Sequence, residues 1–312
     1  MTLQALAVEA ADHWGAMPLA LIRNRENAVF QVALPGGALG ALRLHRVGYQ
    51  AKAAIRSELW WCGALADAGL AVPRPVATAN GETIVTTGAG RFASVIAWLP
   101  GVPLGEAGVP LSDPPEVLAR RHHALGYLLA QIHATTDALA LPQDFIRPAW
   151  DIDGLVGEAP FWGRFWDHPA LQPSEAALLS AARDHLRGIL GGWAHTTPLG
   201  PIHADVLREN VLVSGEAVSV IDFDDSGIGF RLYDLGTVLS QNLYEPFYAD
   251  IRAALIEGYG SLRPVEPDMV DAFTLARCLA SVGWAMPRLA PDDPTHGSHI
   301  ARAVMMARRI LA

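Results

Sequence analysis

The stretch Pro201 to Asp225, PIHADVLRENVLVSGEAVSVIDFDD, restricts the fold of this chain more than any other. It places His203, Asp205 and Asn210 in an H-x-D-x-x-x-x-N spacing. Two β-branched apolar runs follow, Val211 to Val213 and Val218 to Ile221, with Ser214, Gly215 and Glu216 between them. Such runs around a short Gly-containing break predict a hairpin. Folded about Glu216, the hairpin sets Asn210 opposite Asp222, because equal offsets from a turn pair across an antiparallel ladder. Asp205 then sits on the loop feeding the first strand, and Asp222, Asp224 and Asp225 form an acidic cluster at the end of the second.

Oxygen donors from few side chains suit Mg²⁺, which keeps several waters and is usually shared with substrate phosphates. Asn210 and Asp222 are the expected pair of metal ligands, which leaves Asp205 as a base. An Asp that orients a hydroxyl, beside an Asn and a second Asp that hold metal, is what phosphoryl transfer asks for. Taken singly, Asp and Asn near strand ends are more often turn formers or helix caps. The order of the whole stretch, continued by Tyr233-Asp234-Leu235-Gly236, carries the reading.

The rest of the chain bounds the possibilities. Its 312 residues, 51% hydrophobic and 18% charged, are enough for a large core or two lobes. A net charge of −9 argues against a nucleic-acid partner, which would ask for a basic face. Cys62 and Cys278 lie far apart, so neither a disulfide framework nor a cysteine zinc site is expected. The start MTLQALAVEAADHW lacks a basic region before its apolar residues, and no run is long enough to span a bilayer. A cytoplasmic location and no membrane partner are the expectation; the oligomeric state is not readable.

In chain order, a short amphipathic helix is predicted within residues 1–18, then strands at Leu19 to Ile22, Ala28 to Leu34 and Leu39 to His45. A helix carrying Glu58 presents Ile55, Leu59, Cys62 and Leu65 as its apolar stripe. Two further strands, near Glu82 to Thr86 and Phe92 to Trp98, end the sheet. Helices follow: one capped by Asp113 and running to His133, one from Ser174 to about Leu190, and four between Leu232 and Leu311. Adjacent His122 and His123 cannot share one helical face as metal ligands. In the irregular segment from Ile146 to Pro173, Trp150, Phe161, Trp162, Phe165 and Trp166 mix with Asp151, Asp153, Glu158 and Asp167. Two readings stand for it: a lip for a cationic or sugar-like acceptor, or aromatic packing inside a helical insertion.

The H-x-D-x-x-x-x-N, I-D-F and Y-D-L-G motifs together resemble the aminoglycoside phosphotransferase, choline kinase and homoserine kinase group of the protein kinase-like superfamily. The resemblance implies an α+β, two-lobed kinase-like fold. Residues 1–98 would form a small antiparallel-sheet nucleotide lobe, and residues 99–312 a larger, mainly helical catalytic and substrate lobe. It implies ATP and Mg²⁺ as cofactors, Asp205 as base with His203 supporting its loop, and Asn210, Asp222 and Asp224 toward metal. Asp225 and Asp224 are open to a second reading as partners of an acceptor ammonium. Asp234 would buttress the site. Asn27, with Glu26, matches a pattern common over the nucleotide phosphates, and Ala97, Trp98 and Leu99 fall at the hinge that binds adenine through its backbone. Where the family usually has a lysine on the third strand, this chain has Arg43, with Glu58 as its partner. Lys52, the one lysine among 23 basic residues, begins the next helix and is expected to face solvent. Arg208, unusual at its place in the motif, is open to three roles: a γ-phosphate contact, an acceptor contact, or a salt bridge to Glu209, Glu216 or Asp224.

A protein kinase of the ordinary kind would follow Asp222-Phe223 with Gly and a long activation segment. Here Asp224 follows and Tyr233-Asp234 arrives almost at once. The expected activity is transfer of the γ-phosphate to a hydroxyl of a small molecule such as an aminoglycoside, choline or a homoserine-like metabolite. The alternatives are a stress-type Ser/Thr kinase of the same family and a pseudokinase that binds nucleotide without turnover.

Overall fold

A computed structural model describes residues 2–24 and 27–312. Its chain divides into two compact units, each of which gathers segments distant in sequence.

The first unit holds the residues up to Gly101 together with Leu139–Arg147 and Ser219–Asp224. Helix α1 (Leu3–Asp12) is capped by the Thr2 hydroxyl, which accepts the Ala5 N–H at 3.2 Å. It precedes strands β1 (Met17–Asn24), β2 (Ala28–Ala33) and β3 (Leu39–Leu44), which form an antiparallel meander. Helix α2 (Lys52–Asp67) leads to β4 (Pro75–Val76), β5 (Ile84–Thr86) and β6 (Phe92–Ala97), and both β4 and β5 pair with β6. The central pairing of β3 with β6 sets Arg43 opposite Ser94. Phe30, Val32, Leu42, Leu44 and Val95 are buried beneath α1, as period-2 alternation in β2 requires. The stripe Ile55, Leu59, Cys62 and Leu65 is buried as predicted. Glu58 is buried with it, and that burial asks for a partner.

The second unit comprises Val102–Ala138, Pro148–Val218 and Asp225–Ala312. Strand β7 (Val102–Pro103) and helix α3 (Pro115–Asp137) come first, then β8 (Ala149–Trp150), α4 (Ile152–Val156) and α5 (Pro173–Ala194). Next are β9 (Gly200–Ile202), β10 (Val211–Ser214), β11 (Ala217–Val220) and β12 (Gly227–Gly229). Four helices close the unit: α6 (Leu232–Ser240), α7 (Tyr248–Gly260), α8 (Pro267–Ala285) and α9 (Thr295–Leu311). β10 pairs with β7 and turns at Gly215, whose φ of 61° is a left-handed value that glycine adopts freely. The chain passes from the second unit to the first within β11, at Ser219.

Two details of the helices differ from expectation. Asp113 does not cap α3: Pro114 holds that position, and Asp113 pairs with Arg121 at 2.6 Å instead. A proline at the helix start supplies the right φ without a side-chain cap. α5 begins one residue earlier than predicted, with a reciprocal Gln172 and Glu175 capping box.

Glycines let the helices of the second unit approach closely. A Cβ on Gly126 of α3 would lie 2.1 Å from the Leu255 carbonyl oxygen of α7, and one on Gly236 of α6 would lie 2.4 Å from the Phe273 backbone of α8. No helix among the described residues is long and apolar enough to cross a membrane.

Candidate active site

In the second unit the H-x-D-x-x-x-x-N segment is a rigid loop. The Asp234 carboxylate, fully buried on α6, accepts the His203 N–H at 2.9 Å and the Ala204 N–H at 2.7 Å. It also takes a bond from His133 Nε2 at 3.0 Å. Burial alone would raise its pKa, but these donors win and hold the carboxyl below its usual range. The family expectation for Asp234 thereby acquires a mechanism. It fixes the loop backbone, including Ala204 at φ 65°, a left-handed conformation costly for a residue with a Cβ. His203, buried, accepts the Asp205 N–H through Nδ1 at 3.2 Å.

Asp205 projects from this loop with its side chain 18% exposed. Its Oδ2 accepts from Asn210 Nδ2 at 2.9 Å, and the same amide nitrogen donates to the Asp205 carbonyl. The amide oxygen of Asn210 is therefore turned away from Asp205. Oδ1 accepts from Arg277 Nη2 of α8 at 2.8 Å. Sequence reasoning missed Arg277. A signal was present, since an arginine in the apolar run TLARCLASVGW is rarely buried without a partner.

In the first unit Arg43 Nη1 meets Glu58 Oε1 at 2.7 Å, the expected pair, and Arg43 Nη2 meets Asp222 Oδ1 at 2.9 Å. Burial would lower the guanidinium's pKa, but Glu58, Asp222 and Asp224 raise it, so Arg43 is permanently charged. The exposures of the two aspartates separate them. Asp222 adopts φ 67° and keeps 39% of its side chain exposed. Asp224 is turned inward, where Oδ2 accepts from Asn27 Nδ2 at 2.9 Å and Oδ1 lies 3.5 Å from Arg43. An exposed hard carboxylate beside a fixed cation fits a metal–phosphate ligand, and Asp222 is the residue that offers it. The buried Oδ1 of Asp224 accepts no hydrogen bond. Among the described residues no group of three or more His, Cys, Asp or Glu side chains could hold a metal.

Arg147 was also missed. Buried, it donates to the Ala54 carbonyl at 3.1 Å and to the carbonyls of Phe223 and Asp224, so that it fixes the Asp222 segment to α2. Asn27 Oδ1 accepts the Arg46 N–H at 2.9 Å, while Glu26 lies outside the described residues. At the expected hinge, Ala97 and Trp98 give their N–H groups to the carbonyls of Arg74 and Leu39, within the sheet. Of the three positions, Leu99 is the one without such a sheet bond among the described residues.

The open alternatives close on packing. Arg208 is buried, with Nε and Nη2 on Asn242 Oδ1, Nη1 on the Val109 carbonyl and Nη2 on Glu245 at 2.5 Å. It ties the segment after α6 to the loop before α3, and Glu245 is its acid rather than Glu209, Glu216 or Asp224. The aromatic segment packs inward: Trp150, Trp162, Phe165 and Trp166 are buried, and Phe161 alone of the five is exposed, at 41%. Its carboxylates are engaged as well. Asp151 caps α4, and Asp153, Glu158 and Asp167 pair with Arg187, Arg183 and Arg164.

The model of the phosphotransferase enzyme family matches residues 20–271, most of the chain. The chain belongs to the phosphotransferase enzyme family. Among its relatives, a homoserine kinase from Methylobacterium radiotolerans is 30% identical over 231 residues, covering 72% of this chain and 65% of that protein. A homoserine kinase from Gluconacetobacter diazotrophicus is 33% identical over 235 residues, 73% of this chain and 67% of the relative. The chain thus spans about two thirds of the length of these relatives. A solved structure of a microcompartment-associated aminopropanol kinase superposes with a TM-score of 0.84 at 27% identity, covering 98% of this chain and 97% of that one. The α+β, kinase-like architecture expected for this family member is the one observed.

Proposed function

We propose that this family member transfers the terminal phosphoryl group of ATP to the hydroxyl of a small amino alcohol, a class to which the homoserine and aminopropanol of its relatives' names belong. The observation that carries the reading is the Asp205 carboxylate, clamped by Asn210 on a loop whose backbone is bound to a buried aspartate, with 18% of its side chain exposed. Asp205 orients and accepts the proton of that hydroxyl. Arg43, braced by Glu58, carries the charge that nucleotide phosphates require, and Leu99 is the hinge amide for the base. Asn210 and Asp222 would hold Mg²⁺, which supplies neutralisation of the phosphate oxygens when bound. Asp224 holds Asn27 through Oδ2, and its unpartnered Oδ1 beside Arg43 is a further oxygen toward the metal.

The short passage from Asp222 to Tyr233 leaves no activation segment, and none of the relatives named above is a protein kinase. The test is ADP release with Mg²⁺ and ATP, with homoserine and 1-amino-2-propanol as acceptors. Acceptor-dependent release is expected, falling on the order of 10²- to 10⁴-fold in Asp205→Asn with nucleotide binding retained. Full activity in Asp205→Asn would remove Asp205 from its role, and nucleotide binding without turnover on any hydroxyl would favour the pseudokinase.

A further inference from the structure

The Arg277 guanidinium is held from several sides, and one carboxylate receives it. Its side chain is 6% exposed. Nη1 donates to Ser281 Oγ one turn along α8 at 2.8 Å, and the Ser281 hydroxyl donates back to the Arg277 carbonyl at 2.9 Å. The guanidinium carbon lies 4.7 Å from the centre of the Trp162 ring, a cation–π distance. With the plane fixed in this way, Nη2 reaches Asp205 Oδ1 at 2.8 Å.

A buried ion pair is by itself weak evidence of stabilisation, because desolvation can outweigh the attraction. Here the acid keeps 18% of its side chain exposed against 6% for the arginine, and its Oδ2 is already engaged by Asn210. The two donors come from different elements, the loop before β10 and the middle of α8, and grip opposite oxygens of one carboxylate. A side chain with a single terminal torsion cannot rotate while both oxygens are held. In phosphoryl transfer through a loose transition state, the base contributes chiefly by aiming the hydroxyl, so its orientation matters more than its strength.

We propose that Arg277 is a positioning residue, which locks the Asp205 carboxylate in the rotamer that aims the acceptor hydroxyl, with Trp162 and Ser281 fixing the arginine. The proposal rests on Asp205 being the base of the transfer proposed above.

Arg277→Met and Arg277→Lys separate it from its rivals. Arg277→Met lowers kcat on the order of 10²-fold with both acceptors, since an ångström of misplacement costs about that much. KM for ATP and for each acceptor stays within about twofold, and Arg277→Lys recovers part of the loss. A rise in KM confined to homoserine, which carries a carboxylate that 1-amino-2-propanol lacks, would overturn the proposal and make Arg277 an acceptor contact. Unchanged kcat in both variants would overturn it as well. Where Arg277→Met fails to fold, Ser281→Ala and Arg277→Lys carry the test, each with a smaller kcat loss and unchanged KM. The ¹³C carboxyl resonance of Asp205, assigned by its absence in Asp205→Asn, is read without nucleotide or acceptor. It should move in Arg277→Lys, and an unmoved line means that Arg277 does not hold Asp205. If the wild type phosphorylates neither acceptor, the amino-alcohol reading of the substrate fails by that result alone, while the Asp205 resonance still tests the clamp.

Discussion

At position 43 the rigid, planar guanidinium bonds Glu58 through one nitrogen and Asp222 through the other, a fixed geometry that the compact ammonium of a lysine does not impose. Arg43→Met would leave the buried Glu58 carboxyl, whose pKa burial already raises, with Arg147 at 3.8 Å as its remaining cation. Breaking one side of a buried pair costs on the order of 3 kcal/mol, so chemical denaturation should show a loss of about that size, together with weaker binding of a non-hydrolysable ATP analogue. Arg43→Lys should keep most of the stability and lose part of the affinity. An unchanged denaturation midpoint in Arg43→Met would show that the pair does not hold the sheet to α2. The Arg43–Glu58 pair was legible in the sequence because strand and helix are adjacent and the family pattern names both positions. Arg277 and Arg147 were not, since they reach their partners from 72 and 76 residues away and nothing local marks the meeting.

The packing of α6 on α8 joins two parts of the support of the loop that carries Asp205. α6 carries Asp234, which binds the loop backbone, and α8 carries Arg277, which binds its carboxylate. Gly236 permits that spacing, and a Cβ there meets the Phe273 backbone rather than a side chain that could swing aside. Gly236→Ala should therefore force the helices apart, at a cost of about 1–3 kcal/mol. It should lower kcat more than an equal loss of stability from Gly126→Ala, which separates α3 from α7 instead. Thermal melts paired with turnover would show it, and equal kcat losses at matched stability would refute the coupling. Most helices and the β10–β11 hairpin could be read in advance because periodicity and turn residues are local signals. The aromatic segment between β8 and α5 could not, because composition alone does not tell a ring that lines a pocket from one that fills a core.

Over the whole molecule, the histidines set a common pH response. Burial pushes His122 and His299 down to about 4, and it lowers His45, His133 and His168 below the ordinary value of 6.5 as well. A histidine whose folded pKa lies below its unfolded one binds more protons when unfolded. Stability is then full above about pH 6.5 and is lost as pH falls toward the folded value. His122 and His299 each contribute up to about 3 kcal/mol over that window. The lowered Asp234 carboxyl adds a loss at still lower pH. The melting temperature should be flat from pH 8 to 7 and drop steeply between 6 and 4.5, and a profile flat to pH 5 would contradict the burial of these rings.

A chain whose basic residues are arginine at every position but 52 also has a chemical handle. Amine-directed acylating nucleotides, which tag the strand lysine of ordinary kinases, would find no nucleophile at position 43. Succinimidyl dyes would couple to one side chain only, the exposed Lys52 at the first residue of α2. A fluorophore there would sit on the helix that braces Arg43 and could report nucleotide arrival without any engineered cysteine.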